Sequence, residues 1–293
     1  MRKCLTWGVV FLSVLFISDR LLGYVLGEVS NKSSFRFSRL YGGDAGADIL
    51  ILGNSRGVNS FYQPDLENEL GKKVFNMSYN GLRIDIARVL FEDYLALNQK
   101  PSMVVIEASM LTRAYPELAK ELKPYVTSGN GIGSMLRELY PDVYRYSMIS
   151  HVFRYNSEIF LRSLYYLGRD DQEWINEGVI DPAHERQLDG YRGISFEIDS
   201  VLLEELFAME QRCLEDTIEL RVIIAPYLPA YARKIGNMET WKEAIDTRLR
   251  YGMVMDCSQC VEESENFADW VHLNRSGSRV LLDSLLKANY FDL

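Results

Sequence analysis

Hydrophobic positions fall into three textures along the chain, each predicting a different kind of element. From Cys4 to Ile17 they dominate with no charged residue between, pause at Ser18-Asp19-Arg20, and resume from Leu21 to Leu26. Preceded by Arg2-Lys3, this stretch predicts an export signal retained as a membrane-spanning helix, because a span needs about 20 apolar residues. Asp19 and Arg20 would then lie near the far interface, where snorkelling lowers their cost. No small-x-small cleavage site follows the run, and Cys4 stands at its start rather than after it, so it is not a lipoprotein cysteine. The basic residues before the helix predict an N-terminus on the cytoplasmic side of the membrane and a periplasmic or otherwise extracytoplasmic remainder. A cleaved signal and a buried core helix are the alternative readings. Residues 28–47, polar and rich in Ser and Gly, read as a tether.

In the second texture, short continuous apolar runs alternate with segments of helical spacing. Asp48–Gly53 reads as a strand buried on both faces, and Lys73–Asn76, Met103–Ala108, Arg221–Ala225 and Met253–Asp256 read as further strands. Pro64–Leu70, closed by Gly71, reads as a short helix. Longer helices are expected where Leu82, Ile86, Val89, Leu90 and Leu97 share a face, where Val201, Leu202, Leu206, Met209 and Cys213 do, and from Arg275 to Asn289 with Val280, Leu281 and Leu285 inward. This alternation predicts an α/β fold, a five-stranded parallel sheet with helices on both faces. The third texture, residues 110–196, breaks the rhythm. It is helical in pattern and rich in Tyr and Arg, and reads as an inserted lobe. Its aromatic residues either pack the lobe against the sheet or form a substrate or partner surface. The organisation is therefore an anchor (1–27), a tether (28–47) and a domain (48–293) with an insertion at about 110–196. Because the sheet begins at Asp48, removing residues 1–27 is expected to leave a folded domain.

Composition narrows the function. The 293 residues are 47% hydrophobic and 25% charged, which excludes a disordered chain, and only one stretch is apolar enough to enter a bilayer. A net charge of −9 argues against nucleic acid as a partner, since phosphate binding needs a basic face. His151 and His184 have no metal-ligand spacing, and Cys257-Ser-Gln-Cys260 lacks the two further ligands of a zinc site, so neither metal nor cofactor is expected. In an oxidising compartment, Cys257 and Cys260 are candidates for a local disulfide.

Ligands of a parallel sheet bind at the carboxyl ends of its strands, and three segments fall there. Gly53-Asn54-Ser55-Arg56 follows the first strand, so the Ser55 hydroxyl is held out on a turn and its N–H can face an oxyanion. Asn76-Met-Ser-Tyr-Asn-Gly81 follows the second, with Gly81 expected to open a helix and leave its N–H unpaired. Asp269-Trp-Val-His272 precedes the last helix; an Asp three residues ahead of a His in a non-helical turn can bond Nδ1–H and leave Nε2 as a base. Singly, each is more often a cap or a turn than a site.

Together, Gly-x-Ser, Asn-x-x-x-x-Gly and Asp-x-x-His in this order resemble the SGNH/GDSL hydrolases over most of 48–293. The resemblance implies a three-layer α/β/α sandwich of flavodoxin-like type with strand order 2-1-3-4-5. It implies Ser55 as nucleophile, His272 as base and acid, Asp269 as orienter, and an oxyanion hole from the N–H groups of Ser55 and Gly81. The family's Gly-x-Asn-Asp block is replaced by Glu107-Ala108-Ser109-Met110-Leu111. Either Ser109 or a residue of the insertion substitutes for the missing asparagine donor, or the hole has two donors. That departure, the single anchor and Arg56 after the serine are similar to a membrane-anchored branch including DltD-like and alginate O-acetylation proteins.

The expected function is therefore a membrane-anchored extracytoplasmic serine acyl-esterase or O-acyltransferase. It would act on O-acetyl groups of a cell-envelope polysaccharide, beside a membrane-bound O-acyltransferase. The alternative is a non-catalytic adaptor of the same fold binding such an acyltransferase or a polysaccharide. Asn80 is a candidate substrate contact; Arg56 either holds a substrate anion or pairs with a nearby acidic residue.

Overall fold

The computed structural model describes residues 2–112, 117–252 and 254–292. The chain begins with α1 (Arg2–Asn31) and α2 (Arg36–Gly42), followed by β1 (Ile49–Leu52), α3 (Ser55–Ser60), α4 (Gln63–Leu70), β2 (Val74–Asn76), α5 (Ile84–Leu97) and β3 (Met103–Glu107). Next come α6 (Leu118–Glu121), α7 (Gly131–Leu139), α8 (Pro141–Ile149), α9 (His151–Tyr155), α10 (Glu158–Tyr165) and α11 (Pro182–Arg186). The chain closes with α12 (Ser200–Glu215), β4 (Glu219–Ile224), α13 (Pro229–Ala232), α14 (Met238–Arg248), β5 (Val254–Asp256) and α15 (Arg275–Lys287). Met253, expected to begin the fifth strand, lies outside the described residues. These elements form two units: residues 1–44, 92–97 and 117–171, and residues 45–91, 98–116 and 172–293.

The second unit is the predicted α/β sandwich. Its five strands are all parallel in the order β2-β1-β3-β4-β5. Because successive side chains point to opposite faces, Ile49, Ile51, Met103, Val105 and Ile223 share one face, where they bury against Leu66, Leu281, Leu282 and Leu285. The alternate residues Leu50, Leu52, Val104, Ile106, Val222 and Ile224 are equally buried on the other. Double burial explains why these strands read as unbroken apolar runs.

Two boundaries differ from expectation. Residues 28–47 are not a tether: α1 continues to Asn31, α2 follows, and Phe35, Phe37 and Leu40 are fully buried. Arg36 forms a buried pair with Asp171 (Nε–Oδ2 3.0 Å), and the Phe35 ring stacks on Tyr166. The surrounding Ser and Gly masked three apolar anchors. Nor is 110–196 one lobe. Residues 117–171 belong to the first unit, whereas 172–196 belong to the sheet unit. There Ile180 and Leu188 are buried, the Ile180 N–H donates to the Phe267 carbonyl (2.8 Å), and Ile194 bridges Ile235. The expected disulfide is also absent: Cys257 and Cys260 are free thiols. A hydrogen bond between them, with burial, pushes the Cys257 thiol up, while the same bond holds Cys260 down.

Within the first unit α9 lies against α1. A side chain at Gly23 would meet His151 at 2.2 Å, and one at Gly27 would meet the Tyr155 hydroxyl at 2.8 Å. Removing residues 1–27 would therefore strip this unit of a packing partner rather than release an inert anchor. In hydrogen exchange of that truncated chain, α8–α10 amides should lose protection while β1, β3 and β4 keep theirs. Unchanged α8–α10 protection would show that α1 is dispensable to the unit.

Candidate active site

The site lies at the carboxyl edge of the sheet, within the second unit. β1 ends at Leu52 and the chain turns at once into α3, with Asn54 capping it by accepting the Arg56 N–H (2.9 Å). This turn is possible because two glycines meet. A Cβ on Gly53 would fall 2.6 Å from Gly57 Cα, and one on Gly57 would fall 2.5 Å from Ser78 Oγ. Asn76, at the end of β2, binds the other side of α3: its Nδ2 donates to the carbonyls of Gly57 (3.1 Å) and Phe61 (2.8 Å). Ser55 is the first residue of α3, so no carbonyl four residues earlier in the helix takes its N–H.

The third segment is held by α15. Asn274 caps that helix, accepting the Gly277 N–H (3.0 Å), while its own amide donates to the carbonyls of Glu265 (2.7 Å) and Gly178 (3.1 Å). Ser278 Oγ donates to the Ser60 carbonyl (3.0 Å), joining α15 to the serine-bearing α3. The result is a connected line. His272 Nε2 lies 2.7 Å from Ser55 Oγ, and His272 Nδ1 lies 2.8 Å from Asp269 Oδ2. The other Asp269 oxygen accepts the N–H groups of Val271 and His272, both at 2.9 Å. With Nδ1–H donated to the carboxylate, Nε2 accepts the serine proton, the tautomer a general base requires. Burial acts to raise the Asp269 pKa, but the His272 hydrogen bond and charge and the two N–H donors outweigh it, holding the carboxyl below the usual range.

Gly81 does not open α5, which begins three residues later at Ile84; it sits in a turn with φ 75°. Bonds from Met77 N–H to the Ile51 carbonyl (2.9 Å) and Tyr79 N–H to the Gly53 carbonyl (3.0 Å) keep this segment beside the Ser55 turn. Asn80 is exposed in the same turn. Ser109 is not a spare donor. Its N–H (3.2 Å) and its hydroxyl both go to Glu107 Oε2.

Arg56 is not a free substrate contact, being only 4% exposed. Its Nε pairs with the fully buried Glu107 (3.3 Å), its Nη1 donates to the Val271 carbonyl (2.8 Å), its Nη2 donates to the Ala225 carbonyl, and its guanidinium lies 3.4 Å from the Tyr227 ring centre. One side chain thus joins the ends of β3 and β4 to the residue before His272. Of the two readings of Arg56, the structure shows the pair with an acidic residue; sequence reading did not identify Glu107 as the partner because it treated that position only as a missing asparagine.

A Ser–His–Asp triad on the carboxyl edge of a parallel α/β sheet is the arrangement that fold and site define. No protein-family model and no curated protein matches the chain. Among solved structures, it is similar to a Streptococcus pneumonia chain described provisionally as a platelet activating factor (11% identity, 97% of this chain and 98% of that one, TM-score 0.44). It is also similar to a Bacteroides fragilis chain described provisionally as an acylhydrolase (15%, 82% and 85%, 0.37). A third is a GDSL-like lipase from Bacteroides thetaiotaomicron (11%, 84% and 88%, 0.39). At these identities and TM-scores none bears on the chemistry, which rests on the geometry of Ser55, His272 and Asp269.

Two outcomes follow from this framework. Arg56→Ala strands the buried Glu107 carboxylate and should cost about 3–5 kcal/mol in urea unfolding. Arg56→Lys keeps the charge but not the fork, so it should cost less stability yet still impair the site, because Val271 and Ala225 cannot both be held. Asp269 has a folded-state pKa below its unfolded value, so its ionised form stabilises the fold above about pH 4. That contribution is lost as pH falls through the depressed value. Asp269→Asn should flatten this acid limb in a stability–pH series.

Proposed function

We propose that the chain is a serine acyl-esterase or O-acyltransferase working through an acyl-Ser55 intermediate. The observation that carries this reading is the unbroken line from Ser55 Oγ through both His272 nitrogens to Asp269, at 2.7 and 2.8 Å. A serine hydroxyl is a weak nucleophile at neutral pH and needs an adjacent oriented base. His272 Nε2 takes the hydroxyl proton as Ser55 Oγ attacks the ester carbon. The N–H groups of Ser55 and Gly81 stabilise the oxyanion. His272 then gives the proton to the departing alcohol, leaving acyl-Ser55. Water or a sugar hydroxyl, deprotonated by His272, then attacks the acyl carbon; as the acyl–Oγ bond breaks, His272 returns the proton to Ser55 Oγ.

An extracytoplasmic, membrane-anchored setting is supported by α1, which is long and apolar enough to cross a membrane, and by Arg2-Lys3 before its apolar run. An O-acetylated envelope polysaccharide as substrate, and a membrane-bound O-acyltransferase as partner, rest on the branch resemblance described above. An aromatic cluster next to His272 in the chain supports a saccharide: Trp270, two residues before it, contacts His184 at 4.7 Å and Tyr191 at 5.3 Å between centroids, and Tyr191 is exposed. The adaptor reading is favoured by one observation, the engagement of both Ser109 donors by Glu107, since a missing oxyanion donor costs about 10²–10³ in rate.

A fluorophosphonate probe separates the two. The esterase reading expects labelling at Ser55 that Ser55→Ala abolishes and Asp269→Asn slows by about four orders of magnitude. A folded wild-type chain that stays unlabelled at Ser55 would support the adaptor.

A further inference from the structure

We propose that the corner between α8 and α9 is a lipid-contacting foot, seated in the headgroup–acyl boundary of the leaflet from which α1 emerges. The proposal rests on reading α1 as a membrane span, and goes beyond it by assigning a second membrane contact outside that helix.

From Leu5 to Val25 the large apolar side chains of α1 are exposed, including Trp7 (72%), Phe11 (65%) and Leu21 (63%). At about 1.5 Å per residue this stretch covers about 30 Å, the thickness of a bilayer's hydrocarbon core. Asp19 and Arg20 lie within it, and both are engaged by the corner. Asp19 accepts Ser150 Oγ (2.8 Å), His151 N–H (2.9 Å) and Val152 N–H (3.0 Å), and Arg20 Nη2 donates to the Ile149 carbonyl (2.7 Å). Close packing of α9 on Gly23 and Gly27 then fixes the corner to this last third of α1. Its depth relative to the helix is therefore set by these bonds and contacts.

Flanking the gripped residues, Ile149 is 61% exposed and Val152 46% exposed. They sit level with Asp19, whereas exposed apolar surface on α1 continues past that level to Leu21, Tyr24 and Val25. A membrane that takes in α1 as far as Val25 reaches the corner too. Apolar side chains flanking charged and hydroxyl groups suit the interface, where one end of a segment is wet and the other is not. Charge agrees with this placement. The unit containing the corner carries thirteen Lys and Arg against twelve Asp and Glu, while the other carries nineteen against twenty-nine. The excess negative charge that anionic lipid headgroups would repel lies outside the corner's unit.

The test uses the full chain in nanodiscs of phosphatidylethanolamine and phosphatidylglycerol. The photo-crosslinker p-benzoylphenylalanine is placed singly at Phe11, Ile149, Val152 or Tyr251, and phospholipid adducts are read by mass spectrometry. Tyr251, 72% exposed in the other unit, reports chance collision. The expected result is strong lipid adducts at 11 and adducts at both 149 and 152 several-fold above 251. Strong adducts at 11 with 149 and 152 at the level of 251 would overturn the foot and leave the anchor standing. Adducts from 149 or 152 to a second copy of this chain in place of lipid would also overturn it. Absence of lipid adducts at 11 would overturn the anchor, and the foot with it.

Discussion

A guanidinium beside Ser55 cannot be buried unless its donors are answered, and the site is arranged around answering them. Arg56 finds a carboxylate on β3, a carbonyl past β4 and a carbonyl one residue before His272. Two of these contacts come from the ends of neighbouring strands and the third from the turn before α15, so the charge that needs neutralising also draws the loops together. An unpaired buried charge would cost several kcal/mol. Loops that placed the serine and the histidine apart would lose these contacts. The 2.7 Å approach of His272 to Ser55 is the consequence.

Small residues make the rest possible. Gly53 and Gly57 let β1 turn into α3 within three residues, and Asn76 holds that helix from the neighbouring strand. Catalytic groups borne on such rigid elements lose little orientation freedom, which is where much of the advantage of a prearranged nucleophile–base pair arises. The same constraint explains why Ser109 contributes nothing to an oxyanion hole. Glu107 must be satisfied where it is buried, and the nearest hydroxyl and N–H do so.

Much of this was legible in the sequence. Strands buried on both faces announce themselves as apolar runs, so β1, β3 and β4 and the carboxyl edge that carries Ser55 and His272 were readable, whereas the sheet order came only with the family resemblance. Local chemistry was readable too: Asp269 and His272 are three residues apart and bond through a turn. What escaped notice depended on partners distant in the chain. Arg56 and Glu107 are 51 residues apart, and no local pattern links them. Phe35, Phe37 and Leu40 are isolated apolar residues in polar company, which periodicity cannot distinguish from a tether. The break at residue 171 has no compositional mark, because Ile180 and Leu188 are ordinary residues made structural only by what they bury against.

The central claim is that Ser55 accepts an acyl group. Incubating the folded chain with a small activated acetyl ester, quenching in acid and mapping peptides by mass spectrometry tests it most directly. The account predicts an acetyl adduct on the peptide carrying Ser55, formed in wild type and absent in Ser55→Ala and His272→Ala chains that retain their fold. A folded wild-type chain with no acetyl on Ser55, or with the adduct unchanged when His272 is removed, would contradict it.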